Sequence, residues 1–251
     1  MTDRDPEWTE KRLDTAAELL AGCRGSGATL AHLPAYARPE TEQEGYEVQR
    51  RVARFLNVTP QCWKVSASGP SGPTAAPVWG DEAQSSSTRA GQRLLLETEI
   101  ALRLCHDLPC RPSVAYTRNT ILKAVDVFAV AFERVSYRLT APDLPFPQRL
   151  ADCLANDGLV IGTALPVAAL RPDPVAYLTL CRNGTPEAFT PVNIDPVGAL
   201  LAYANHGGDM LGGLKKGQWV LTGSMTGMQK VDDASEWSAV WNGVSEVRRS
   251  F

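Results

Sequence analysis

The sequence predicts an α+β protein. Apolar residues recur at helical spacing through residues 1–60, while short alternating runs of strand character fill residues 61–251. No internal repeat and no polar tail divides the chain, so residues 1–251 read as a single domain.

Each element has its own local signal. Asp5 and Pro6 supply an N-cap and a first-turn proline, and Trp8, Leu13, Ala16, Ala17 and Leu20 follow at helical spacing. TEQE at 41–44 is a capping box that opens a helix through Tyr46, Val48, Val52, Phe55 and Leu56. After Pro60 the character changes. CWKVSAS reads as a short strand, and the Gly-, Pro- and Ser-rich residues 69–91 read as a loop of the length used for lids and binding loops. LLLETEIALRL, at 94–104, reads as a strand. NTILKAVDV reads as a helix leading into the strand FAVAFERVSYRL. A helix is expected over 148–156, ending at Gly158, with LVIG as the next strand. VAYLTLC and RNGTPEAFT suggest a hairpin turning at Asn183-Gly184. Asp195-Pro196 caps a helix carrying Val197, Leu200, Leu201 and Ala204, which Gly207-Gly208 ends. GQWVLTGS and residues 236–251 supply the last strands.

Composition excludes several classes. A net charge of −3 over 251 residues offers no electrostatic reason to bind nucleic acid or an anionic membrane. No segment reaches the roughly 20 apolar residues of a membrane span, and MTDRDPEWTEKR lacks a signal peptide's apolar core. The expected location is cytoplasmic, with the six scattered cysteines as reduced thiols and small core hydrophobes. Three dispersed histidines, His32, His106 and His206, do not suggest a zinc site.

Two glutamates stand out in the strand at 94–104. Alternation puts Leu94, Leu96, Thr98, Ile100, Leu102 and Leu104 on one face and Leu95, Glu97, Glu99, Ala101 and Arg103 on the other. The carboxylates of Glu97 and Glu99 then point the same way from backbone positions roughly 7 Å apart. Like charges at that distance repel by about 2 kcal/mol near a surface. Water, Arg103 or a bound cation would relieve this. Glu133 shares a strand face with Ala129, Ala131, Val135 and Tyr137, where a lone buried carboxylate is expensive. Three convergent carboxylates without Cys or His suit a hard cation such as Mg²⁺ or Mn²⁺. A solvated Glu-x-Glu face, or ion pairs of Glu133 with Arg134 or Arg138, are the plainer readings.

Ordered landmarks then carry a resemblance. GYEVQRRV, CWKVSAS, PVWG, LLETEIALRLCHDLP, FERVSYR, ADCLANDGLVIG and LKKGQWVLTGSMTG resemble, in order and over roughly residues 10–251, the fumarylacetoacetate hydrolase superfamily. The branch they most resemble contains 2-keto-4-pentenoate hydratases and 4-oxalocrotonate decarboxylases. The resemblance implies a helical N-terminal part packed on a mixed β-sheet roll. It implies Mg²⁺ or Mn²⁺ on Glu97, Glu99 and Glu133, a catalytic Lys64, and substrate contacts from Thr222, Gly223, Ser224 and Arg138. A lysine beside a metal-held substrate can shuttle protons if burial or positive neighbours lower its pKa.

The expected activity is that of a metal-dependent lyase hydrating a 2-hydroxy-2,4-dienoate to a 4-hydroxy-2-oxo acid in aromatic catabolism. A 4-oxalocrotonate-type decarboxylase and a catalytically weak keto-acid-binding subunit are the alternatives. The partners implied are a small 2-oxo or 2-hydroxydienoic acid, further copies of the chain in a homo-oligomer, and a sibling decarboxylase or hydratase. Departures from the family pattern motivate the weak-subunit reading. Val78 stands in PVWG where an acidic residue is usual, and Cys153 and Ala155 replace Asn and Ser in ADCLA. SYR follows Glu133 where Asp-Ser-Arg is usual, and CWKVSAS lacks a glycine after the lysine strand.

Overall fold

The computed structural model describes residues 6–79, 94–109, 111, 113–206 and 214–251. The expected cap Asp5, the loop from residue 80 to 91 and the helix stop Gly207-Gly208 lie outside the described residues.

Helix α1 (Pro6–Ser26) begins at its proline and buries Leu13, Ala16, Ala17 and Leu20, while Trp8 stays on the exposed side. Helix α2 (Glu42–Leu56) is capped by Thr41, whose hydroxyl accepts the Glu44 N–H at 3.2 Å. The Glu44 carboxylate reaches back one residue further than a capping box requires, accepting the Glu40 N–H at 2.6 Å. Strand β1 (Cys62–Ser66) follows.

The loop expected over 69–91 contains strand β2 (Thr74–Val78), antiparallel to β1. Its sequence TAAPV has weak strand propensity and a proline. Position explains it, because β2 lies at one edge of the sheet, where a missing N–H breaks no ladder. Strand β3 (Leu95–Leu104) is as expected. Helix α3 (Arg118–Ala124) runs directly into β4 (Val125–Val135), which stops before Ser136. The helix expected over 148–156 is short: α4 spans Phe146–Ala151. Cys153, Leu154 and Ala155 then take φ of 54°, 52° and 62°, and β5 (Asn156–Ile161) starts at once.

Beyond β6 (Leu165–Pro166), strands β7 (Leu178–Arg182) and β8 (Thr185–Pro186) form the expected hairpin. Asn183 and Gly184 both have positive φ, at 50° and 74°, as a type I′ turn requires. Asp195 caps α5 (Pro196–Asn205) by accepting the Gly198 N–H at 3.0 Å. The chain closes with β9 (Trp219–Ser224), β10 (Gln229–Lys230), β11 (Glu236–Trp241) and β12 (Ser245–Ser250).

Two sheets result. The larger runs β2-β1-β9-β3-β4-β5, with β10 on β3 and β6 on β4; the smaller runs β12-β11-β7-β8. The β1–β9 pair is parallel and the rest of the larger sheet antiparallel, so it is mixed. One core cluster joins both sheets through Trp63, Ile100, Phe128, Phe132, Trp237 and Trp241. A second, built from α1, α2 and α4 with Ala76 and Trp79, seats the helices on the larger sheet. The opposite face of the central strands carries a smaller apolar cluster of Cys62, Val78, Ala101, Ala131, Leu159 and Leu221. The glutamates lie on that face. Among the described residues no helix is long and apolar enough to cross a membrane. The described cysteines, Cys23, Cys62, Cys105, Cys153 and Cys181, are free thiols.

Candidate metal centre

Strand register builds the site. Glu97 of β3 lies directly opposite Glu133 of β4, and Glu99 opposite Ala131. Directly opposed residues share a face, so the period of two in β3 brings all three carboxylates together. Glu97, Glu99 and Glu133 each offer a carboxylate oxygen within 4.8 Å of the others. Glu133 is fully buried and Glu99 nearly so, which rules out a solvated acidic face.

The arginines considered as counter-charges are engaged elsewhere. Arg103 forms a two-point ion pair with Asp126, at 3.0 and 2.6 Å. Arg134 pairs with Asp157 at 3.1 Å. Among the described residues, the cation bonded to this cluster is Lys64 of β1, whose Nζ donates to Glu133 Oε1 at 2.6 Å. Asn156 Nδ2 donates to the same oxygen at 3.0 Å. Glu133 Oε2 is enclosed and has no hydrogen-bond partner among the described residues.

The charge balance is uneven. Three carboxylates against one ammonium leave a formal −2. Burial pushes the Glu99 carboxyl well above the usual carboxylate range, and Glu133 adds to the shift; Lys64 and the Gly223 N–H offset part of it. Burial followed by Glu133 also raises Glu97. For Lys64, burial lowers the pKa, but Glu133, Glu99 and Glu97 together outweigh it and raise the ammonium above its ordinary value. Anionic neighbours thus outweigh burial at Lys64.

A bulge shapes the second wall. Between Glu99 and Ala101, β9 advances from Ser224 to Leu221, three residues against two. At the bulge Gly223 has φ +116°, and its N–H turns to donate to Glu99 Oε2 at 2.7 Å. Thr222 is buried, its hydroxyl donating to the Ile100 carbonyl at 2.8 Å. Thr222 and Gly223, expected to meet a substrate carboxylate, here bond the Ile100 carbonyl and the Glu99 carboxylate. Ser224 stands opposite Glu99 across the β3–β9 pair.

Arg138 also departs from expectation. It is 1% exposed, and its Nε donates to Asp152 Oδ1 at 2.6 Å. Its Nη2 donates to the Asp152 carbonyl at 3.0 Å, and its Nη1 lies 3.5 Å from Asp157. A guanidinium enclosed and bonded in this way holds the chain after α4 rather than a substrate. Val78 joins the apolar wall opposite Cys62, and Cys153 Sγ accepts the Trp79 indole N–H at 3.0 Å. The role of Asn156 is a tertiary one that strand periodicity does not carry: it touches Glu133 only after the turn at 153–155 is made.

The donor set fits a hard divalent cation. Carboxylate oxygens alone converge, one of them is buried without a partner, and the formal charge of the cluster matches a dication.

The whole fold has solved counterparts. Over 95% of this chain and 97% of the other, at a TM-score of 0.75 and 13% identity, it is similar to 4-oxalocrotonate decarboxylase from Pseudomonas putida G7 complexed with magnesium and adipate. The same decarboxylase with calcium and acetate aligns over 95% and 96% of the two chains, at a TM-score of 0.73 and 14% identity. A protein described as of the fumarylacetoacetate hydrolase family, from Yersinia pestis CO92, aligns over 76% and 92%, at a TM-score of 0.53 and 18% identity. No family model and no curated protein matches the sequence. The chain therefore has the fumarylacetoacetate hydrolase-like fold: helices at the N-terminal end packed on a mixed sheet.

Proposed function

We propose that this chain belongs to the fumarylacetoacetate hydrolase superfamily and is a lyase that depends on Mg²⁺ or Mn²⁺ and acts on a short 2-oxo or 2-hydroxydienoic acid. The observation that carries the reading is the convergence of Glu97, Glu99 and Glu133 on a largely buried strand face with one lysine beside them. When bound, the cation would supply Lewis-acid stabilisation for the negative charge that develops on a 2-oxo acid during proton or CO₂ loss. Glu97, Glu99 and Glu133 are the residues that would hold it.

The chain's own groups do the rest. Gly223 fixes Glu99 through its N–H, and Asn156 and Lys64 fix Glu133. Lys64 Nζ holds its protons at the rim of the cluster, 16% exposed along its side chain, where an acid bound there would meet it. The apolar wall of Val78, Ala101, Ala131, Leu159 and Leu221 excludes water from one side and strengthens the interactions inside.

Hydration of a 2-hydroxy-2,4-dienoate to a 4-hydroxy-2-oxo acid is the first reading. Decarboxylation of a 4-oxalocrotonate-type acid is the second, favoured by the decarboxylase that shares the fold. An ultraviolet assay separates them: 2-hydroxypenta-2,4-dienoate and 4-oxalocrotonate are each followed with Mg²⁺ and with chelator, and CO₂ release is measured in parallel. Loss of dienoate absorbance without CO₂ supports hydration; CO₂ from 4-oxalocrotonate supports decarboxylation. Tight Mn²⁺ uptake with neither turnover points to the catalytically weak keto-acid-binding subunit. Turnover unchanged by chelation overturns the metal-dependent reading. We also propose a cytoplasmic homo-oligomer, which light scattering of the purified chain tests.

A further inference from the structure

The two oxygens of Glu133 have different surroundings. Oε1 accepts from both Lys64 Nζ, at 2.6 Å, and Asn156 Nδ2, at 3.0 Å. Oε2 is enclosed with no hydrogen-bond partner among the described residues. A carboxylate offers lone pairs on both oxygens, so two donors on one oxygen orient the group and leave the other to be used.

The two donors are not equivalent. Lys64 is a charge on a flexible stem, partly exposed, and in the proposed reaction it also serves the substrate. Asn156 is fully buried and anchored from several sides. Its Oδ1 accepts the Trp79 backbone N–H at 2.9 Å, and its carbonyl accepts Arg24 Nη1 at 3.0 Å. Being neutral, it orients Glu133 without cancelling the charge a dication needs.

Its position comes from a backbone that L-residues avoid. Cys153, Leu154 and Ala155 are consecutive non-glycine residues with φ of 54°, 52° and 62°. Such a run persists only where its surroundings overdetermine it. Here Arg138 grips Asp152 on the near side, Trp79 donates to Cys153 Sγ, and Ser136 N–H donates to the Ala155 carbonyl at 2.9 Å. The turn ends α4 and lets β5 begin at Asn156.

We propose that Asn156 is a positioning residue for the metal centre: the left-handed turn at 153–155 delivers its amide to Glu133 Oε1, so that Oε2 is the atom presented to the cation. This rests on the reading of the cluster as a divalent-cation site. It assigns a purpose to the strained turn and a role to a residue that strand periodicity does not mark.

The test uses the full chain and Mn²⁺ alone. Mn²⁺ affinity is measured by calorimetry, and the electron paramagnetic resonance spectrum of bound Mn²⁺ is recorded, for wild type, Asn156→Ala and Ala155→Gly. Asn156→Ala is expected to weaken Mn²⁺ binding by about 10-fold or more and to alter the zero-field pattern. Ala155→Gly accepts the same φ without strain and is expected to keep wild-type affinity and spectrum. Because Asn156→Ala also removes an acceptor for Trp79 N–H, a crystal structure of Mn²⁺-loaded wild type gives a second readout: Oε2 on the ion and Nδ2 still on Oε1. An ion on Oε1, or wild-type affinity and spectrum in Asn156→Ala, overturns this inference alone. Failure of wild type to take up Mn²⁺ overturns the metal reading, and this inference with it.

Discussion

Glu97 and Glu133 face each other as direct register partners across β3 and β4, and Lys64 Nζ is bonded to the second of them. Antiparallel pairing brings two carboxylates into contact, and burial then makes the contact costly unless a cation shares it. The pH and metal behaviour of the protein follows from that pairing.

The ion-free protein is expected to lose stability as pH rises from the usual carboxylate range upward. Glu99 and Glu97 have raised pKa values in the fold, so in that window the native state binds more protons than the unfolded chain. Stability then falls with rising pH. Mg²⁺ or Mn²⁺ displaces those protons, so the gain in Tm on adding metal grows with pH. Thermal melts across pH with chelator and with Mn²⁺ check both slopes; a metal effect that is flat with pH contradicts the prediction.

Lys64→Met leaves Glu133 buried with Asn156 as its remaining donor. Removing one partner of a buried pair is expected to destabilise the ion-free protein by about 3 kcal/mol in urea denaturation. Saturating Mn²⁺ should restore most of the loss, since a bound dication replaces the missing charge. A loss that Mn²⁺ does not touch would place Lys64 outside the site.

Arg138→Met tests whether this guanidinium is structural. The Arg138–Asp152 pair is buried on both sides, at 1% and 3% side-chain exposure. The expected outcome is a stability loss of about 3 kcal/mol. If the variant folds, Mn²⁺ affinity should fall with the disordered turn, and KM should not rise selectively. A raised KM at unchanged Tm would return Arg138 to the substrate.

Gly223→Ala separates space from conformation. Among the described residues, a Cβ built there meets only Ile194 Cγ2, at an ordinary 3.6 Å, so crowding is slight. The cost arises from φ +116°, and about 1–2 kcal/mol of stability should be lost. Relaxation of the bulge moves the N–H off Glu99, so Mn²⁺ affinity should drop as well. Calorimetric titration of the variant reads this.

Much of the site was legible in local pattern. The period of two in LLETEIALRL places Glu97 and Glu99 on one face whatever the rest of the chain does, and FAVAFERV places Glu133 likewise. The Asp195 cap and the Asn183-Gly184 turn are local in the same sense, each set by the chemistry of adjacent residues. What sequence could not decide was which groups meet. Arg103 and Arg134 are near the glutamates in sequence yet answer aspartates, while the cation on Glu133 comes from Lys64, 69 residues away. Strand β2 forms from weak strand formers because β1 offers it an open edge. The left-handed turn at 153–155, with no glycine to announce it, exists because Arg138, Trp79 and Ser136 hold it. Side-chain direction along a strand is fixed by neighbours one bond apart. The partner of a buried charge is selected by long-range packing, and only the assembled sheet supplies it.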